Sequence, residues 1–323
     1  MTFFQNKHGA FLSRHLQTLL PGLIEQKVRA RPFTDGMWVP TIPELTAGTD
    51  TVTQEVLTRA GSATVMGDLT TTIPLSSAAI SEVTRPTVAI ASAFGYAAMD
   101  LERMATAASN GSQVNLMGAR QQSAVQAIDE KVELLTIYGD EALGFQGTVN
   151  NPDVPVWDKT TFDPFDENTS DREIITFFKD VVVDIMSTTN MTIAPDTILV
   201  SLDLFSRISE VETQAQNETL LNLILKVVGP MGITSIMPTL RLGYRDLEKY
   251  GVKGAGTNED RMMVYRRDQS VLNRAILRDI LQFGQVEGPT EMFYKVPIFT
   301  VISPTHFNFP ESAYYIDHAA NVA

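Results

Sequence analysis

Residues 127–155 read AIDEKVELLTIYGDEALGFQGTVNNPDVP, and the change of pattern inside this stretch organises the chain around it. Val114, Gln121, Val125, Ile128, Val132 and Leu135 recur at helical steps, the spacing of one helix face. That spacing predicts a helix over Val114–Tyr138, roughly 37 Å long at about 1.5 Å per residue. Its apolar stripe reads as a core face and requires no cofactor. Gly139 follows at the position where a residue free to turn left-handed ends a helix. Asn150-Asn151-Pro152-Asp153-Val154-Pro155 is then a turn-rich junction, and a domain boundary is expected there.

Upstream, Leu101, Met104, Ala105 and Ala108 share one helix face, and Asn110-Gly111-Ser112 marks a break before the long helix. Before that, the chain carries no lysine between Thr46 and Tyr96 and is rich in Thr, Ser, Ala and Val. Two extended arms are expected here, Thr51–Met66 and Glu82–Phe94, joined by Gly67-Asp68 and the polar run Thr70–Ser77. Val52 and Val56, and on the other arm Val88, Ile90 and Phe94, alternate with smaller or polar residues, giving each arm one apolar face. Pro86 lacks an amide donor, so its strand lies at an edge or is interrupted there. A two-stranded ribbon is marginal on its own in water. Such a chain completes its structure by lying on a neighbour.

The first thirty-odd residues read as an arm rather than a domain. Phe11, Leu12, Leu16, Leu19, Leu20 and Leu23 approach helical spacing until Pro21-Gly22 intervenes, and Pro32, Pro40 and Pro43 hold the chain extended through Leu45. Lys7, Arg14, Lys27, Arg29 and Arg31 face only Glu25 before Asp35. These cations either pair with acidic neighbours and water, or touch nucleic acid or an acidic patch on a partner.

Beyond Pro155 helices and strands alternate, which implies a mixed α+β domain. Ser170-Asp171-Arg172-Glu173 is a capping box opening a helix to about Thr188. Strands are expected at Thr197–Ser201, Ile233–Met237, Arg261–Tyr265 and Met292–Ile302, and a helix at Asn217–Val228.

Composition removes several classes of function. The chain has 323 residues, 44% hydrophobic, enough for a large core. No apolar run is long enough for a membrane span, and Met1–His8 lacks the pattern of a secretory signal. Zero cysteine excludes disulfides, zinc–thiolate sites and thiol nucleophiles, and a net charge of −13 argues against nucleic-acid binding over the whole surface. The loop Gly251-Val252-Lys253-Gly254-Ala255-Gly256-Thr257-Asn258 lacks the order and context of a phosphate cradle. Asp163, Asp166, Glu167, Asp171 and Glu173 could offer oxygens to a hard cation, but without calcium-loop spacing and with two of them engaged in a helix start. His8, His15, His306 and His318 form no catalytic motif.

The order of basic arm, ribbon, long helix, mixed domain and returning strands resembles the major capsid proteins of tailed bacteriophages with the Hong Kong 97 fold. Within that family it is most similar to a prophage-type branch. The stretch 127–155 carries the likeness most specifically, since relatives end their spine helix in a similar Gly-Asp and follow it with a comparable turn. Thr84–Arg103 looks like the ribbon's return strand entering the spine, and Asp260–Asp268 like the strand after the axial loop. Val296–Ile302, Asn308–Pro310 and Ala313–Asp317 resemble the C-terminal return. Ser303-Pro304-Thr305-His306 stands where relatives tend to have a glycine pair.

The resemblance implies an α+β fold with an N-terminal arm (1–47), an extended ribbon or E-loop (48–95), a peripheral domain with the spine helix (96–150), an axial domain (151–284) and a return to the peripheral domain (285–323). It implies a non-enzymatic shell protein without cofactor or metal, assembling as hexamers and pentamers into an icosahedral virion capsid around double-stranded DNA in the bacterial host cytoplasm. A separate scaffolding protein, a portal and decoration proteins are the expected partners besides itself. Glu55, Arg59, Asp68, Glu82 and Arg85 of the ribbon, Lys27, Arg29 and Arg31 of the arm, and Arg245 and Lys253 of the axial loop are the expected intersubunit contacts. The ribbon has no ammonium for the lysine–asparagine crosslink known in this fold. Two other functions stand beside it: an encapsulin-like nanocompartment shell, which keeps the fold and changes the cargo, and a soluble metal-dependent hydrolase using Asp163–Glu173. Deleting Gly67–Ser77 is expected to leave the core folded, judged by circular dichroism, while abolishing closed shells in electron micrographs.

Overall fold

The computed structural model describes residues 31–43, 46, 48–65, 74–109, 115–157, 163–166, 169–210, 218–252, 258–284, 286–287 and 292–321. Its first strands are β1 (Thr41–Ile42), β2 (Thr51–Ala60), β3 (Ser77–Pro86) and β4 (Val88–Ala97). β2 and β3 form the ribbon, in register from Thr51 opposite Pro86 to Ala60 opposite Ser77. The expected second arm, Glu82–Phe94, is in fact two strands with different partners. Thr87 ends the ribbon by donating to the Asp50 carbonyl at 3.0 Å, next to Pro86, which has no donor to continue the ladder. Ile90 and Phe94 therefore belong to a core and not to the ribbon.

Helix α1 (Ala98–Ser109) leads towards α2 (Leu116–Tyr138), whose N-cap Asn115 accepts from the Gly118 amide at 3.0 Å. α2 buries Ala124, Ile128, Val132 and Leu135. Gln121, expected on that face, is exposed and donates its amide to Gln282 instead. Gly139 closes α2 with φ of 72° and begins a tight hairpin of β5 (Gly139–Asp140) and β6 (Phe145–Gln146). A Cβ there would stand 2.2 Å from the Phe145 carbonyl oxygen, so only glycine fits.

The remaining elements are α3 (Asp171–Thr188), β7 (Thr197–Ser201), α4 (Leu202–Ile208), α5 (Leu220–Val228), β8 (Ser235–Thr239) and α6 (Tyr244–Lys249). After them come β9 (Glu259–Tyr265), β10 (Leu272–Gln282), β11 (Val286–Glu287), β12 (Phe293–Ile302), β13 (His306–Phe307) and β14 (Tyr314–Ala319). The capping box of α3 is formed as its sequence requires, with Ser170 and Glu173 bonding each other's amides. The strand expected at Ile233–Met237 sits two residues later, where it pairs in parallel with β7. β10 was not anticipated. Two register shifts against β12 remove the period-two alternation that reveals a strand.

Two sheets carry the fold. One has the order β1–β10–β12–β11, with β4 along the other side of β12 and β13 on β10; the second has the order β14–β9–β7–β8. Thus β10 pairs with the sheet of β4 and β12, whereas β14, close to the C-terminus, pairs with β9. α3 and α5 cover one face of the second sheet, against Ile198, Val200, Met262 and Val264. The alternate residues Leu199, Met263 and Tyr265 face another core that includes Phe33, Trp38 and Leu247. α2 covers one face of the first sheet.

A buried ion pair ties β9 to β14. Arg261 bonds both oxygens of Asp317 at 2.7 and 2.8 Å, gives a further bond to the Val149 carbonyl at 2.8 Å, and lies 4.8 Å from the Tyr315 ring centroid. Breaking such a pair from one side leaves a buried cation uncompensated. Asp317→Ala is expected to lower subunit stability by about 3–5 kcal/mol, read from the denaturant midpoint of the dissociated subunit.

Candidate assembly interface

Strand alternation gives the ribbon two unlike faces. Val52, Gln54 and Val56 on β2, with Val83 and Arg85 on β3, are partly or fully buried. The other face carries Thr53, Glu55, Leu57 and Arg59 opposite Thr84, Glu82, Ile80 and Ala78, all exposed. Leu57 and Ile80 stand directly opposite each other and are 51% and 68% exposed, an apolar pair turned to water. Beside them Glu55 faces Glu82, a like-charge pair that disfavours the isolated ribbon, and neither has an ion-pair partner among the described residues.

Arg85 differs from the other expected contacts because it points inward. It is buried at the ribbon's root, where it donates to Asn273 at 3.2 Å and to Gln54, and burial holds its guanidinium below the usual arginine range. In this subunit it anchors the ribbon and is not a surface contact.

The arm's described root is likewise built in. Arg31 pairs with Asp129 of α2 at 3.0 Å, and Thr34 donates its amide and hydroxyl to Glu133 at 2.8 and 2.9 Å. Arg274, pushed down to about 10 by burial, bonds Thr136 and the Thr34 carbonyl. Burial raises the carboxyls of Asp129 and Glu133, against the opposing bonds from Arg31 and Thr34. Residues 32–39 form turns instead of the expected extended run, because Phe33, Trp38 and Val39 are buried in the second core.

Arg245 is exposed, its Nε donating to the Tyr244 hydroxyl at 2.9 Å. It borders a cavity of about 540 Å³ shared with Asp203, Leu240 and Asn321. Asp68, Lys27, Arg29 and Lys253 lie outside the described residues.

Sequence reading missed the uncovered face of the first sheet. Ile90, Phe94 and Tyr96 of β4 face α2, so Ala89, Ala91, Ala93, Gly95 and Ala97 face away. Opposite them on β12 stand Val301, Phe299, Pro297, Lys295 and Phe293. The phenyl ring of Phe293 lies across Gly95, where a Cβ would come within 2.4 Å of it. The alternation of small residues from Ala89 to Ala97 was the available signal, hidden by assigning that strand to the ribbon.

The profile of the Major capsid protein family matches residues 61–318. The chain belongs to that family. Among solved structures, the capsid of Myoviridae phage XM1 is similar at 14% identity and TM-score 0.72, covering 97% of this chain and 100% of that one. Microbacterium phage Oxtober96 gives 11% and 0.63 over 98% and 99%, and a virus-like particle from Pyrococcus furiosus 10% and 0.51 over 86% and 90%. A search of curated proteins returned no match. The fold is therefore of the Hong Kong 97 capsid type, and this capsid protein has a structural role in a virion shell. The family favours that role over a nanocompartment shell and over a hydrolase.

Three members of the acidic run are engaged within the capsid subunit, and Glu167 lies outside the described residues. Asp171 pairs with Arg207 at 3.1 Å, Glu173 accepts from the Ser170 amide at 2.8 Å, and Asp163 accepts from the Phe165 amide at 2.9 Å. No group of three metal-ligating side chains occurs among the described residues.

His306 sits near the ribbon root. Burial first, and Arg85 second, push its imidazole from 6.5 down to about 4, with Asp153 opposing. The folded subunit thus keeps His306 neutral where the unfolded chain binds a proton. Its contribution to stability is complete above about 6.5 and is lost as the pH falls towards 4. His306→Gln is expected to flatten the stability profile in that window by up to about one proton relative to the unmodified chain, measured by denaturant titrations at several pH values.

Proposed function

We propose that the subunit assembles as hexamers and pentamers into an icosahedral shell around double-stranded DNA, and that it carries out no catalysis there. The observation behind this reading is the ribbon. Its ten-residue strands present Leu57 and Ile80 to water, and a free two-stranded ribbon gains little stability from its own contacts. Repetition by symmetry lets every copy cover this face with another copy.

In this reading α2 with the sheet of β4, β10 and β12 forms the peripheral domain, and the sheet of β7, β8, β9 and β14 the axial domain. β10 thus leaves the expected axial span 151–284, and β14 leaves the expected peripheral return 285–323, because of the strands they pair with. Helix α6 and the segment after it, with Arg245 and Lys253, lie near a symmetry axis, where the sequence suggested only a loop. The ribbon, with Glu55, Arg59, Asp68 and Glu82, lies on an adjacent subunit, and the segment before Arg31 reaches another. Lys27 and Arg29 touch packaged DNA without sequence preference at most, since the net charge is −13. A separate scaffolding protein, a portal and decoration proteins complete the particle, which assembles in the bacterial host cytoplasm.

Purified chain is expected to sediment as large particles that appear as closed shells by electron microscopy. Leu57→Asp combined with Ile80→Asp should leave the melting temperature of the subunit within a few degrees while preventing closure. A chain that remains monomeric or dimeric under every assembly condition overturns the proposal.

A further inference from the structure

The exposed ribbon face and the uncovered sheet face carry matching patterns. An antiparallel sheet that meets water on one face normally places polar side chains there. Here β4 places only alanine and glycine on that face, a low strip that the Phe293 ring crosses at Gly95, beside the taller Pro297 and Phe299 of β12. The only charge that β12 adds is Lys295, which is exposed and has no carboxylate partner among the described residues. Arg278, opposite Val301, spends its guanidinium on the Phe299 ring, 5.4 Å from its centroid.

On the ribbon, the Glu55/Glu82 pair is followed on the same face, two residues along, by Leu57/Ile80. On the sheet, Lys295 is followed, two residues along, by Pro297 with Ala93 opposite. Each step is about 6.8 Å in an antiparallel strand. A ribbon laid along β12 therefore sets two carboxylates around one ammonium while the apolar pair meets Pro297 and Ala93. The ribbon of the same subunit cannot take this seat, because β3 runs into β4 through Thr87 alone and leaves Glu55, Leu57, Ile80 and Glu82 exposed.

We propose that Lys295, on the uncovered sheet face, is held between Glu55 and Glu82 of the partner subunit and sets the register in which that subunit's ribbon lies. This rests on the shell reading above and names the contact that reading leaves open. The lysine neutralises a like-charge pair that otherwise weakens the ribbon, and the ribbon covers the sheet's apolar strip. Charge complementarity also fixes the register, because a slip of two residues places the carboxylates on Pro297.

The test uses the full chain in four forms: unmodified, Lys295→Glu, Glu55→Lys with Glu82→Lys, and all three substitutions together. Lys295→Glu and the double substitution should each raise the concentration needed for closed shells about tenfold or more, and the triple form should recover most of that loss. Melting of the unassembled subunits separates misfolding from failed contact, and Lys295→Gln replaces Lys295→Glu if the latter does not fold. Zero-length carbodiimide coupling of unmodified shells, followed by peptide mass analysis, should join Lys295 to Glu55 or Glu82 between copies. Lys295→Glu assembling normally, a folded triple form with no recovery, or intact shells lacking that crosslink would each overturn the proposal. If the unmodified chain forms no shells, the shell reading itself falls.

Discussion

The division of one extended stretch at Pro86–Thr87 is the constraint on which the rest of the structure depends. From Ser77 to Pro86 the chain pairs only with β2, and from Val88 it pairs along the whole of β12. The missing amide of proline and the bond from Thr87 to Asp50 make the break, so β3 cannot slide into the sheet. The buried Arg85 fixes the same junction from the side by joining β3 to β2 and β10 through Gln54 and Asn273. A ribbon anchored this firmly at its root and uncovered beyond it has its apolar face available to another molecule. The same break gives the sheet β4, whose outward face is uniformly small.

Buried charge is used sparingly and at junctions. Arg261 with Asp317 joins β9 to the near-terminal β14, so the last strand is locked to the sheet formed by the middle of the chain. Arg274 and Glu133 hold the turn at 32–39 against α2 and β10. Each group lies where chain segments far apart in sequence meet, and apolar packing alone would allow them to shift. Hydrogen-bonded charges specify one arrangement, because a misplaced one is left buried and unpaired.

Much of this was legible in sequence where local chemistry decides structure. The α3 capping box, β7 and the glycine that ends α2 depend on a few adjacent residues, and they fell where their residue types require. The strand β10 was illegible because two register shifts broke its alternation. The turn at 32–39 was hidden because three prolines suggest extension, whereas Phe33 and Trp38 find a core supplied by Ile137, Tyr138 and residues still further along the chain. For the candidate interface, the ribbon was legible and its seat was not. Which strand β4 pairs with decides which of its side chains face outward, and no local pattern carries that information.

The lysine-free composition of residues 46–96 then acquires a physical sense. A ribbon lysine beside Leu57 or Ile80 would bring a second ammonium to the one at Lys295 and would weaken the contact that glutamates at 55 and 82 strengthen. The two carboxylates are unfavourable to the free ribbon and favourable to the seated one, so they penalise the unassembled conformation and the wrong register together. Specificity of this kind costs the isolated subunit stability, and the shell recovers it at every repeated copy of the interface.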